Sequence, residues 1–389
     1  MATRQTRTPW QGEASDAVTG SEPSPTVLFA GGGTGGHLYP ALAIAQTLVR
    51  MAPDVRPIFV GAHRGIERDV LPQYPFAYVL LDLHPLYRGA IWRNWRTAWG
   101  ALSAWRGLGG LMRRERPRLV VGTGGYGSGL ALGYAVAHRV PIVQQIADSA
   151  PGLTARWFAR YCREVYVGYP EAVGRLPHRP GIAFIDTGNP ITPPPEPRPD
   201  RGAARTQWGF PDDGAQVVLV FGGSQGARAI NEAVNAWVGR GLPPNIRLIW
   251  ATGRTHYAAY AVREGPSVRV RPYLAPIADA YAAADLALTR AGAITTAELC
   301  AWGIPMVLVP LPTAAADHQT ANARALEAAG AAIHFPQDML SAESISRLVR
   351  QLAGDGPRRA ALAAGARRRA RPGAAEDIAR RILSAVHLR

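Results

Sequence analysis

Short apolar, β-branched runs alternate along this chain with stretches whose apolar positions recur at helical spacing. Val27–Ala30, Ile58–Val60, Leu119–Val121 and Ile142–Gln144 carry the first pattern in the N-terminal half. Val217–Phe221, Leu248–Ala251, Leu286–Thr289 and Met306–Val309 repeat it in the C-terminal half. Buried strands separated by ten or more helical residues predict βαβ units and parallel sheets covered on both faces. Between the halves, residues 188–202 read GNPITPPPEPRPDRG, with six prolines. Proline at that density joins neither a helix nor a central strand, so the stretch is expected to be a stiff linker.

The predicted organisation is therefore two doubly wound, Rossmann-like α/β domains, at 26–188 and 203–365, joined by a linker at 189–202. A length of 389 residues gives each domain room for its own core. Residues 1–25 have no apolar segment of the kind a secretory signal carries, and read as a disordered tail. The Ala/Arg-rich stretch 366–389 is helical in pattern and is expected to pack back across the domain junction. No apolar run is long enough to span a membrane. Cys162 and Cys300 lack metal-ligand spacing and read as free buried thiols of a cytoplasmic protein.

Charge narrows the chemistry. The net charge is +15, and all 43 basic residues are arginine. Without a lysine the chain forms no Walker A loop, no protein-kinase site and no pyridoxal Schiff base. The positive balance implies affinity for anions, either nucleotide phosphates or an acidic membrane surface. No nucleic-acid recognition motif accompanies it, so nucleic acid is not an expected partner.

Each half sets a glycine loop directly after a strand and before a helix: FAGGGTGGH at 29–37 and FGGSQGARAIN at 221–231. After the first loop, Leu42, Ala45, Leu48 and Val49 share one helix face. Glycine lets a ligand approach the backbone, and the free N–H groups of the helix start favour an anion. Residues 31–36 also satisfy the G-x-G-x-x-G dinucleotide fingerprint. That fold needs an acid at the end of the second strand, where this chain reads FVGAHRG; Asp54 precedes the strand. A nicotinamide enzyme is disfavoured accordingly.

Five motifs in register resemble the MurG family of glycosyltransferases. They are GGGTGGHLYPALAIA from Gly31, VVGTGGYGSG at 120–129, GGSQGARAIN at 222–231, RAGAITTAEL at 290–299 and DHQTANARAL at 317–326. The likeness extends over about residues 26–385. It implies a GT-B fold, with two Rossmann-like domains facing a central cleft. It also implies inverting transfer of N-acetylglucosamine from UDP-N-acetylglucosamine to a polyprenyl-pyrophosphate-linked muramoyl pentapeptide. By motif match, Glu298 would take the ribose hydroxyls, and Ala293, Ile294, Thr295, Thr296 and Ala297 would lie along the sugar nucleotide. Ser224 would sit near the phosphates, Gln319 on the sugar, and Leu274 beside the uracil. Thr34, Gly35 and Gly36 would face the acceptor and the transferred sugar, with Gly124, Gly125 and Tyr126 forming a second acceptor loop. Deprotonation of the acceptor hydroxyl needs a base, and His37 titrates in the right range; a phosphate-stabilising or acceptor-binding role, or a structural bond to backbone, are its alternatives. No D-x-D motif is evident, so neither a metal nor any other cofactor is expected.

Two positions depart from the family pattern. Asp148 stands where an asparagine is usual, and Thr192 where an arginine is usual. Asp148 is thereby a second candidate for the base or its assistant. These departures leave open a different UDP-sugar or acceptor, and a non-catalytic sugar-nucleotide or membrane-binding relative.

Residues 87–118 hold four tryptophans among eight arginines. Trp92, Trp95 and Trp99 share a helix face extended by Leu102 and Arg106, with Arg93 and Arg96 alongside. Such a face suits an anionic membrane surface, and the alternative is a core-facing tryptophan stripe. The expectation is a peripheral protein on the cytoplasmic face of the inner membrane.

Overall fold

The apolar runs become the parallel strands of two separate sheets in the computed structural model of the chain, which describes residues 24–82, 94–211, 213–223 and 225–387. The first sheet contains β1 (Thr26–Gly31), β2 (Arg56–Ala62), β3 (Ala77–Leu81), β4 (Leu119–Gly124), β5 (Ile142–Ile146), β6 (Glu164–Val167) and β7 (Ala183–Asp186). Its strand order is β3-β2-β1-β4-β5-β6-β7. The second contains β8 (Gln216–Phe221), β9 (Ile246–Ala251), β10 (Val268–Arg271), β11 (Leu286–Thr289), β12 (Met306–Leu308) and β13 (Ala332–His334). Its order is β10-β9-β8-β11-β12-β13.

Both orders reverse direction once, between β1 and β4 and between β8 and β11. Chain leaving the carboxyl ends of strands on either side of a reversal diverges to opposite faces, and the crevice left between is where such sheets bind ligands. Four of the five motifs meet that geometry, and the fifth lies on α11 after β12. The loops after β1 and β4 flank one reversal, and those after β8 and β11 flank the other.

Helices cover both faces of each sheet. Over the first lie α1 (Gly35–Met51), α2 (Glu67–Val70), α3 (Asn94–Glu115), α4 (Tyr126–Ala137) and α5 (Leu153–Phe158). The second domain adds α6 (Arg201–Gln207), α7 (Arg228–Gly239), α8 (Tyr257–Tyr260), α9 (Ala278–Ala283), α10 (Ala293–Trp302) and α11 (His318–Ala328). The chain ends in α12 (Ala342–Gly354), α13 (Gly356–Arg369) and α14 (Ala374–His387).

On one face of the first sheet, Leu38, Leu42, Ala45 and Leu48 of α1 bury against Val27 and Phe29. Ile378, Ile382 and Val386 of α14 join the same core, so the C-terminal helix crosses back onto the N-terminal domain. On the other face, α3, α4 and α5 bury Leu108, Leu132 and Ala155 against Leu28, Val120 and Val165. The line begun by the three tryptophans reaches Arg106, which is exposed, whereas Ala104, Leu108, Leu111 and Met112 point inward. Trp92, Arg93 and Ser224 lie outside the described residues, as do the side chains of Trp95, Arg96, Trp99 and Tyr126. Among the described residues no helix is long and apolar enough to cross a membrane.

Candidate active site

The two N-terminal glycine loops interlock. Along β1 and β4, Ala30 pairs with Gly122 but Gly31 pairs with Gly124, so Thr123 is bulged out of the ladder. A bulge turns one residue's backbone away from its strand partner and aims it elsewhere. Here Thr123 is aimed at His37: its Oγ1 donates to the His37 carbonyl at 2.8 Å, and its own carbonyl lies 3.1 Å from His37 Nδ1. A carbonyl only accepts, so Nδ1 carries the proton and Nε2 of the neutral ring is left with its lone pair. Gly125 follows at φ 78°, ψ 169°, a conformation open essentially to glycine alone. A Cβ there would stand 2.1 Å from the carbonyl oxygen of Gly32.

Beneath the first loop lies Glu67, fully buried at the start of α2. Its Oε1 accepts from the N–H groups of Gly33 at 2.9 Å and Ala62 at 3.2 Å. Gly32 and Gly65 leave room for this carboxylate, since a Cβ on either would come within 1.8 Å of it. Sequence reasoning missed Glu67 because HRGIERD carries no pattern that separates a buried loop support from a surface acid.

His37 is half-buried at the first turn of α1, which Thr34 opens without a side-chain cap. Burial lowers its pKa below the ordinary 6.5, while Asp148 and Glu67 draw it back up and His318 opposes them. Asp148 follows β5 in the N-terminal domain and His318 opens α11 in the C-terminal domain, so the charges that act on His37 come from both domains. Thr34 and Gly36 are exposed and Gly35 half-buried at the same helix start.

Asp148 takes part in a clasp between the domains. Its Oδ1 accepts from Asn322 Nδ2 at 2.8 Å, and Asn322 Oδ1 accepts from the Ser149 N–H at 2.8 Å. Asn322 is fully buried at this junction. A second clasp joins Tyr169 OH to Thr296 Oγ1 at 2.8 Å. Asn189 extends the junction, taking Gln145 Nε2 on its oxygen at 2.9 Å and giving Nδ2 to the Ala147 carbonyl at 3.0 Å. At the rim Arg369 forms a bidentate pair with Glu171, at 3.0 and 2.9 Å. The side chain of Thr296 thus faces the domain junction, and Ala293 beside it is buried.

Across the cleft, Glu298 projects from α10, whose N-terminus has no side-chain cap. Tyr281 OH donates to Glu298 Oε2 at 2.8 Å. Burial raises the Glu298 pKa above the ordinary carboxylate range, and the tyrosine bond works against that rise. Gln319 is oriented by the Leu311 N–H, which donates to its Oε1 at 3.0 Å, and among the described residues its Nε2 donates to none. The loop carrying Leu311 is itself held by Arg290, whose Nη1 donates to the carbonyls of Val309 and Pro310. Leu274 is buried behind the site, Ile294, Thr295 and Ala297 are half-buried on α10, and Thr192 is exposed in the linker. Helices α1 and α10 approach each other across the cleft.

This arrangement sets an imidazole on the N-terminal domain and a carboxylate, an amide and an uncapped helix start on the facing domain. It suits a nucleotide diphosphate bound between two Rossmann-like units, with a proton acceptor on the opposite wall.

Comparison with known proteins agrees in order and extent. Residues 27–167 match the glycosyltransferase family 28 N-terminal domain, and residues 217–378 match the family 28 C-terminal domain. The chain is 38% identical over 372 residues to the UDP-N-acetylglucosamine–N-acetylmuramyl-(pentapeptide) pyrophosphoryl-undecaprenol N-acetylglucosamine transferase of Salinibacter ruber, covering 93% of this chain and 97% of that one. It is 40% identical over 365 residues to the protein of the same name from Chlorobium luteolum, covering 92% and 98%. Among solved structures, Acinetobacter baumannii MurG superposes with a TM-score of 0.74 at 25% identity, over 92% of this chain and 99% of that one.

Proposed function

The chain belongs to glycosyltransferase family 28, and from that premise we propose that it moves N-acetylglucosamine from UDP to the muramoyl pentapeptide carried on undecaprenyl pyrophosphate, a step of peptidoglycan synthesis. The observation that carries the proposal is that the loops after β1 and β4 and those after β8 and β11 stand at the reversal points of the two sheets, with α1 and α10 approaching each other across one cleft.

In this reading Nε2 of His37 accepts the proton of the acceptor's 4-hydroxyl. The oxygen attacks the anomeric carbon, and the bond to the UDP oxygen breaks with its electron pair, inverting the centre. N–H groups at the start of α10 and in the loop after β8 receive the departing diphosphate charge. Glu298 holds the ribose hydroxyls, Gln319 donates to the sugar, and Asp148 stabilises the imidazolium that forms. No metal enters these steps. Mass analysis of the lipid product tests the proposal. Addition of a single N-acetylhexosamine supports it, and an unmodified lipid or another sugar contradicts it.

Two variants probe the individual roles. Glu298→Gln keeps an acceptor for Tyr281 but removes the charge, and should weaken UDP binding by about 1–3 kcal/mol in calorimetry. Because the carboxyl pKa is raised, wild-type affinity should fall with decreasing pH sooner than an ordinary carboxylate dictates, and the variant should lose that dependence. Asp148→Asn keeps an oxygen for Asn322 while removing the charge that raises the His37 pKa. Activity needs neutral His37 and is lost as pH falls through its pKa. The acid limb of the rate profile should therefore move to lower pH, with a reduced plateau; an unmoved limb would separate Asp148 from His37.

A polyprenyl-linked acceptor stays in the bilayer, so the enzyme works as a peripheral protein on the cytoplasmic face of the inner membrane. Residues 87–118 form its docking face in this reading. Support comes from the tryptophan–arginine spacing and from the outward position of Arg106 at the end of that line.

A further inference from the structure

The loop after β9 has no part in the steps above, yet it stands within the donor wall. Parallel strands release their following loops along one edge of the sheet, in the order of the strands. The order β10-β9-β8-β11 therefore sets residues 252–256 between the loop after β10, which carries Leu274, and the glycine loop after β8. The loop is also clamped. A Cβ on Gly226 would stand 2.2 Å from the Thr252 carbonyl oxygen, and one on Gly253 would stand 2.5 Å from that of Gln225. The two loops thus touch backbone to backbone. Asn231 of α7 fastens them, donating Nδ2 to the Thr252 carbonyl at 2.7 Å and accepting from Trp250 Nε1 at 3.0 Å. Both of these side chains are buried.

Arg254 rides on this clamped loop and is exposed. Its guanidinium lies 5.5 Å from the centre of the Tyr273 ring. Tyr273 in turn acts on Tyr39 and Tyr281: burial raises the pKa of both phenols, and Tyr273 adds to the rise. Tyr281 is the residue that donates to Glu298, and Tyr39 lies on α1 just beyond His37. These neighbours bring Arg254 to the cleft, on the donor side. Other arginines near the ends of the same strands are already engaged. Arg228 pairs with Glu232 at 2.7 Å, Arg271 with Glu264 at 3.2 Å, and Arg290 donates to the carbonyls of Val309 and Pro310. Among the described residues Arg254 has neither a carboxylate nor a carbonyl partner, so its N–H donors are open to a ligand.

We propose that Arg254 binds the diphosphate of the nucleotide donor, adding a full positive charge to the backbone N–H groups of the glycine loop and of α10. The inference rests on the proposed function and gives it a residue that no sequence motif singled out. A guanidinium meets phosphate oxygens with paired, parallel N–H bonds, and the face of Tyr273 steadies its plane. Negative charge on the diphosphate grows as its bond to the sugar breaks, so the same contact favours the transition state.

Calorimetry with uridine, UMP and UDP tests the assignment. Arg254→Gln removes the charge at an exposed position, so the thermal transition should be unchanged. Its affinity for UDP should fall about 10-fold, the lower end for a charge-assisted hydrogen bond, while uridine binds as it does to the wild type. The salt dependence of UDP binding should also become shallower. Arg254→Lys should recover part of the lost affinity, because a point charge remains without the planar fork. Arg240→Gln, which removes a charge at the far end of α7, should bind UDP normally. Equal losses for uridine and UDP would overturn the inference and make Arg254 a brace for Tyr273. Unchanged UDP affinity would overturn it as well, and with a raised acceptor KM would assign the residue to the diphosphate of the lipid. A wild-type protein that binds UDP no better than uridine would overturn the donor reading itself, and this inference with it.

Discussion

Replacing His37 with alanine is expected to lower kcat about 10²–10⁴-fold while leaving UDP affinity nearly unchanged. The expectation follows from what the ring can do. Thr123 fixes the proton on Nδ1, so the lone pair of Nε2 is available without any change of tautomer. Burial lowers the pKa, so the ring is neutral at neutral pH and ready to accept a proton. The nearby Asp148 then favours the imidazolium once the proton has moved. The proposed function puts UDP on the other wall of the cleft, so its affinity should be spared. Pre-steady-state turnover with saturating donor makes the measurement. If kcat survives and only the acceptor KM rises, His37 binds the acceptor and Asp148 becomes the better candidate for the base.

Replacing Gly125 with alanine should be nearly as damaging, although this residue does no chemistry. Its backbone lies where alanine is strained by about 1–3 kcal/mol, before any contact is counted. The added Cβ would also meet the Gly32 carbonyl at 2.1 Å, and that oxygen is backbone, unable to swing aside. One loop must then retreat from the other, carrying Thr123 or His37 with it. A displacement near 1 Å at a catalytic group costs about 10²-fold in rate. The variant should therefore show both a lowered thermal transition and a kcat reduced about 10²-fold, with UDP affinity retained. Gly110→Ala serves as the control, because an added Cβ there meets nothing within 4 Å. Wild-type turnover in Gly125→Ala would mean that the interlocking of the loops does not position His37.

The core of the architecture was legible because the central strands are continuous apolar runs, buried on both faces. The eight runs read from the sequence all fall on strands, with β12 ending at Leu308, one residue early. The strands that escaped notice have physical reasons for doing so. β10 reads VRVR and β7 reads AFID, short stretches outside the central apolar runs, with burial shared between apolar stems and charged tips. β3 and β13 are edge strands whose mostly half-buried side chains leave a weak apolar signature.

The candidate site divides in the same way. The glycine loops announce themselves because close backbone approach imposes glycine at fixed spacing between strand and helix, whereas Glu298 and Gln319 are named only through the family resemblance. The Thr123 bulge, the Glu67 support and the Asn322–Asp148 clasp do not announce themselves. Each is a pairing between residues far apart in sequence, such as Asp148 with Asn322 or Gly33 with Glu67. No local pattern encodes such a partner. Thr296 shows the converse: its motif places it along the nucleotide, and its hydroxyl is engaged by Tyr169 of the other domain.

Release of UDP, followed continuously with a panel of UDP-sugars in the presence and absence of the undecaprenyl-pyrophosphoryl muramoyl pentapeptide, bears most directly on the central claim. Rapid release that requires both UDP-N-acetylglucosamine and the lipid-linked acceptor is the predicted result. Equal or faster release from another UDP-sugar, or release indifferent to the acceptor, would contradict it.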